Sequence, residues 1–86
     1  MTASALAELR AMLEAFVAGD DVSLRRANEI EALLNREFRV SPLWEQLSEP
    51  LAVYRPEGGE FLVDESGLRR QISAVLKEWT SLTKDD

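Results

Sequence analysis

The stretch that decides the fold is Asp64-Glu65-Ser66-Gly67-Leu68-Arg69-Arg70-Gln71-Ile72-Ser73-Ala74-Val75-Leu76-Lys77-Glu78-Trp79-Thr80-Ser81-Leu82. Leu68, Ile72, Val75, Leu76, Trp79 and Leu82 recur at helical intervals, which places them on one face of an α-helix. The spacing predicts one helix from Asp64 or Glu65 to Leu82. Asp64, Glu65 and Ser66 supply caps and negative charge at its N-terminus, where the helix dipole favours them. Thr83 to Asp86 are expected to fray. A helix with one apolar stripe needs partners to cover that stripe, so its surroundings are sought in the rest of the chain.

Three more stripes precede it. From about Ser4 to Ala18, Leu6, Leu9, Leu13, Phe16 and Val17 share a face, and Gly19 is a natural left-handed stop. Asp20 and Asp21 follow as turn and cap candidates. From about Val22 to Phe38, Ala27, Ile30, Leu34 and Phe38 form a stripe that Leu33 widens, while Arg25, Arg26, Glu29, Glu31, Arg36 and Glu37 take the wet side. Ser41-Pro42 opens the third helix, with Ser at the cap and Pro at the first helical position. Leu43, Leu47, Leu51 and Tyr54 line it. Pro50 cannot donate to the helical ladder, so a kink or restart is expected near Ser48-Glu49-Pro50.

Between the third and last helices lies the one substantial loop, Arg55-Pro56-Glu57-Gly58-Gly59-Glu60. Phe61-Leu62-Val63 is β-prone but too short for a sheet, and reads as an extended segment pinned to the helices by Phe61 or Val63. Short connections between amphipathic helices favour antiparallel neighbours. The expected fold is therefore all-α: a small antiparallel four-helix bundle, its third helix kinked near Pro50, forming one domain over residues 1–86. Its core is small, so the two Trp and three Phe should carry much of the burial.

Composition removes many functions. The chain has no Cys and no His, hence no thiolate nucleophile, no disulfide and none of the commonest metal ligands. Carboxylate pairs can hydrolyse glycosides, but that needs a deep cleft. Gly58-Gly59 alone is a turn and no phosphate-binding motif, EF-hand spacing is absent, and Asp21-Val22-Ser23-Leu24 lacks the Asp-Ser-Leu context of a carrier protein. No enzyme, cofactor or metal is expected. Met1-Thr2-Ala3-Ser4-Ala5 carries no basic segment, and Glu8 and Arg10 interrupt the apolar run, so the expectation is a cytoplasmic protein without a secretory leader or membrane span.

The net charge is −6, from 16 acids and 10 bases. Nucleic acid and anionic membrane repel such a chain, so a charged partner should be basic. The placement is more telling than the total. Glu45, Glu49, Glu57, Glu60, Asp64 and Glu65 are opposed in their own stretch only by Arg55, while the remainder is nearly balanced. Carboxylates on a projecting loop mimic a run of phosphates and would enter a cationic cleft. Each has a plainer reading too. Asp64 and Glu65 can be helix caps, and Glu45 and Glu49 ordinary exposed helix acids. Glu57 and Glu60 have no capping role and are the sharper candidates. Tyr54 reads either as core or as a contact residue at the base of the loop. Trp79 sits on its stripe; Trp44 lies one position off and is the better candidate for exposure.

Phe16-Val17-Ala18, Ser41-Pro42 and above all Phe61-Leu62-Val63-Asp64-Glu65-Ser66-Gly67-Leu68-Arg69, followed by Ile72 and Val75-Leu76-Lys77, carry a resemblance. This layout resembles the colicin D immunity protein family, the bacterial self-protective colicin-like immunity proteins. The resemblance implies a small acidic helical bundle that binds one toxin nuclease domain, one to one, and blocks its active site. It implies a toxin that cleaves transfer RNA, whose basic site is filled by acids standing in for substrate phosphates. The family's acidic loop falls here on Glu57 and Glu60, with Asp64 and Glu65 at the helix start; beside what the resemblance implies, Glu49 is expected to support these toxin-binding acids and Tyr54 to stand as a contact at the base of the loop. The alternative expectation is a non-catalytic helical adaptor that binds a protein through an apolar face, using Trp44, Tyr54 or a self-associating helix.

Overall fold

The stripes fold as helices. A computed structural model describes residues 3–60 and 62–83. It contains α1 (Ala3–Ala18), α2 (Leu24–Glu37), α3 (Pro42–Ala52), α4 (Glu65–Lys77) and α5 (Trp79–Thr83). The packing closes a ring: α1 lies against α2 and α4, α2 against α3, and α3 against α4, with α5 against α3 and α4. Leu9, Leu13 and Phe16 of α1 meet Ile30 and Leu34 of α2, Leu43, Leu47 and Leu51 of α3, and Leu68 and Ile72 of α4 in one core. Leu6, Val17, Leu76 and Leu82 pack half-buried on its margin.

The helix ends explain the boundaries. Gly19 takes a left-handed φ of +84°. Its N–H donates to the Phe16 carbonyl (3.1 Å) and the Asp20 N–H to the Ala15 carbonyl (3.0 Å), the double bond pattern that satisfies orphan carbonyls after a left-handed residue. The cap of α2 differs from expectation. Ser23, and neither Asp20 nor Asp21, accepts the Arg26 N–H (3.1 Å). Asp21 instead braces that cap, accepting the Ser23 hydroxyl at 2.7 Å. Ser41 is buried and caps α3, accepting the Trp44 N–H (3.4 Å) while its own hydroxyl donates to the Phe38 carbonyl (2.9 Å).

Two further expectations change. No restart occurs at Pro50, which stands inside the single helix Pro42–Ala52. Its missing N–H falls in the last turn, so only one ladder bond is lost before the helix ends. The final helix, expected to run to Leu82, breaks at Glu78, whose N–H is shared between the Ala74 (3.3 Å) and Val75 (3.1 Å) carbonyls. That sharing tightens the last turn and α5 begins afresh at Trp79. Trp79 is buried there, with the Arg10 guanidinium 5.4 Å from its ring centroid. Phe61 and residues 84–86, on which an anchoring and a fraying expectation fell, lie outside the described residues.

Replacing Ser41 with Ala should lower the unfolding free energy by about 1 kcal/mol, the usual cost of losing an N-cap hydroxyl. Urea denaturation followed by far-UV circular dichroism measures it, and native helicity should be unchanged.

Candidate functional site

The loop after α3 is built from two successive turns. Pro56 fixes the second position of the first turn, which closes when the Gly58 N–H donates to the Arg55 carbonyl (2.8 Å). The second closes when the Leu62 N–H donates to the Gly59 carbonyl (3.1 Å). Gly58 at φ +79° and Gly59 at +148° hold backbone conformations that side chains oppose. The chain then returns beside its own start. The Arg55 N–H donates to the Val63 carbonyl (2.8 Å) and the Val63 N–H to the Val53 carbonyl (3.0 Å), an isolated parallel bridge between Tyr54 and Val63. Val63 is thus pinned as expected for one of the two candidates.

Tyr54 fastens this loop to the core. It is fully buried, its ring edge-on to Phe16 with centroids 5.5 Å apart, and its hydroxyl donates to the Val22 carbonyl at 2.6 Å. Of its two sequence readings, core is the one realised; its side chain is not on the surface. Arg69 makes a second long-range link that sequence reasoning missed. Its Nε and Nη2 both donate to the Val17 carbonyl (3.1 and 2.8 Å), where they meet the negative end of α1. Its Nη1 pairs with Glu65 one turn before it (3.2 Å). The spacing of Glu65 and Arg69 was a visible signal for the pair; the Val17 carbonyl was not.

The six acids separate into three groups. Asp64 caps α4, accepting the Gly67 N–H (2.9 Å) and the Ser66 hydroxyl (3.1 Å), bonds that hold its carboxyl below the usual range. Glu65 is ion-paired with Arg69. Glu45, Glu49, Glu57 and Glu60 are exposed, and their carboxylates make no hydrogen bond or ion pair among the described residues. Glu57 nevertheless belongs with the first two in space. Burial raises the Tyr54 phenol above its ordinary 10.0, and the charges of Glu65, Asp64 and Glu57 raise it further, so all three carboxylates lie within electrostatic reach of one hydroxyl. Glu45, in the first turn of α3, stands about 10 Å of helix rise from the end that carries the loop.

Counting along the chain overstated the surplus. The stretch that ends at Glu65 leaves out Arg69 and Arg70, yet Arg69 pairs with Glu65 and the charge of Arg70 acts on Asp64. Arg55 donates to the Tyr54 carbonyl (2.6 Å), which holds its stem beside the loop. The unneutralised part is therefore the exposed pair Glu57 and Glu60, with Glu49 and Glu45 on the outer side of α3. Trp44 is half-buried, and its indole N–H donates to the Asn35 side chain (2.8 Å), tying α3 to α2. Among the described residues no three acidic, His or Cys side chains gather closely enough to hold a metal ion.

No family model, no curated protein and no solved structure matches the chain.

Tyr54 is the sole tyrosine, so its phenol can be titrated directly by ultraviolet absorption. Its titration should lie above 10.0, and Glu57→Gln and Glu65→Gln should each move it back toward that value. The raised phenol contributes stability that is complete below the unfolded value and is lost as pH rises through the folded one. Thermal melts across that alkaline window should show the loss in the parent chain and a smaller one in Tyr54→Phe.

Proposed function

We propose that the protein is an immunity protein, a non-catalytic inhibitor that binds a cognate toxin ribonuclease of the transfer-RNA-cleaving kind, one to one, in the cytoplasm. Glu57 and Glu60 enter the toxin's cationic cleft in place of substrate phosphates and exclude the RNA. Glu49, Asp64 and Glu65 add to the field that draws the toxin in. Tyr54 acts from inside, holding the loop. The ring of helices is read as an antiparallel four-helix bundle, bent near Pro50, with α5 as an appended turn.

One observation carries the reading. Glu57 and Glu60 are exposed on a loop whose backbone is fixed by four hydrogen bonds, and neither carboxylate has a partner among the described residues. A rigid loop loses little entropy on docking, so unpaired charges on it are available for binding. The resemblance around Phe61 to Arg69 suggests which kind of partner. No described helix is long and apolar enough to cross a membrane.

A second reading, a helical adaptor with an apolar contact face, draws on Val40 and Leu62. Among the described residues these are the exposed large hydrophobics, at 101% and 40% relative exposure. Salt separates the two readings. Carboxylate-driven binding weakens steeply as ionic strength rises, chiefly in association rate, whereas apolar docking changes little.

Close interfacial charge pairs contribute roughly 1.5–7 kcal/mol each by double-mutant cycles. Glu57→Lys combined with Glu60→Lys should therefore abolish protection of cells expressing the toxin, while circular dichroism and melting stay as in the parent. Normal protection by the double variant would show that this loop is not the inhibitory surface.

A further inference from the structure

On the outer side of α4, away from the core stripe of Leu68, Ile72 and Val75, a different pattern appears. Ser66, Arg70, Ser73 and Lys77 follow one another at four, three and four residues, so they share a face, with Arg69 beside them. No acid stands on that stripe, although the chain as a whole is acidic. Where α4 meets the end of α1, Val17, Ser66, Arg69, Arg70 and Ser73 enclose an open hollow of about 340 Å³.

The donors on the residues that line this hollow can be counted. Arg69 is fixed by its bonds to the Val17 carbonyl and Glu65, which use three of its five N–H groups and leave two. Among the described residues the Arg70 side chain makes no hydrogen bond or ion pair, its charge acting on Asp64 only through space, and the half-buried Ser73 makes none through its hydroxyl. The helix N-terminus is not the attraction, because Asp64 already occupies the Gly67 N–H. Asp64 and Glu65 lie at the opening end of α4, whereas Ser73 stands about two turns further on and Lys77 beyond it. The charge of Arg70 still reaches Asp64, so of the free donors the Ser73 hydroxyl and Lys77 are the ones farther along the helix from those carboxylates.

We propose that this hollow binds a small oxyanion, a phosphate or carboxylate group, in the fork of Arg70 with the Ser73 hydroxyl alongside. Arg69, already rigid, forms the wall and offers its remaining N–H groups, and Lys77 adds charge from the next turn. A planar guanidinium matches two oxygens of such a group, and a hydroxyl fills a third direction. The site is independent of the Glu57 and Glu60 loop and of what that loop binds. The chain then carries two recognition surfaces of opposite sign, an acidic loop and a cationic hollow.

The test is a titration of the ¹⁵N-labelled full chain with inorganic phosphate, and separately with acetate, against chloride at constant ionic strength. Saturable shifts are expected at Arg70, Ser73 and the Arg69 side-chain N–H, beyond those chloride produces. The arm that saturates identifies the ligand as phosphate or carboxylate. Arg70→Gln, an exposed substitution that should leave the melting temperature unchanged, should weaken binding about tenfold by removing one charge-assisted pair. Shifts no larger than those with chloride in both arms, or undiminished binding by Arg70→Gln, would overturn the proposal.

Discussion

The hydrogen bond from the Tyr54 hydroxyl to the Val22 carbonyl, 2.6 Å long, joins residues 32 positions apart and sets the geometry of the loop-bearing end. It gives the buried phenol a partner in a half-buried carbonyl, and it binds the segment just after α3 to the turn that precedes α2. Unpaired, either group would cost far more than the bond itself contributes. Phe16 packs edge-on against the same ring, so the apolar and polar demands of Tyr54 are met together. The loop that follows starts and ends on this residue, since Tyr54 is bridged to Val63. The positions of Glu57 and Glu60 depend on that anchor.

Beside it stands a second tie of similar reach, Arg69 on the Val17 carbonyl. One link draws the turn between α1 and α2 to the residue that opens the loop after α3, and the other draws the end of α1 to α4. They also reshape the electrostatics. Arg69 neutralises Glu65, and Asp64 is committed to capping α4, so two acids that belong to the patch along the chain serve the fold in space. What remains of the patch is smaller and better defined: exposed carboxylates without partners among the described residues. Surface ion pairs of the Glu65 and Arg69 kind contribute little to stability, so their role here is to fix position.

Much of the fold was legible because helical periodicity is a local signal. The stripe of Leu68, Ile72 and Val75 is buried as spacing alone requires, and Ser41-Pro42 opens α3 as its chemistry dictates. The break at Glu78 was not legible. Lys77-Glu78-Trp79 contains no Gly or Pro, and the stripe runs on through Trp79 and Leu82, so periodicity saw one helix where a shared N–H makes two. The cap at Ser23 was missed because Asp20 and Asp21 offer the same chemistry two and three residues earlier. At the site, the sharper standing of Glu57 and Glu60 came from the absence of any capping role, which is readable. The fate of Asp64 and Glu65 was open in the sequence, because a carboxylate at a helix start serves a cap and a patch equally well. The contributions of Arg69 and Arg70 depend on which residues meet across the fold, and a charge count along the chain is blind to that.

The central claim is that Tyr54 holds the acidic loop rigid in the isolated chain. Native-state hydrogen exchange of the Arg55 and Val63 amides tests it most directly, since their bonds close the loop. The account predicts protection approaching that of the Leu47 and Ile72 amides in the core, and a selective loss of it in Tyr54→Phe. Exchange of both amides at the rate of an unstructured chain would contradict it.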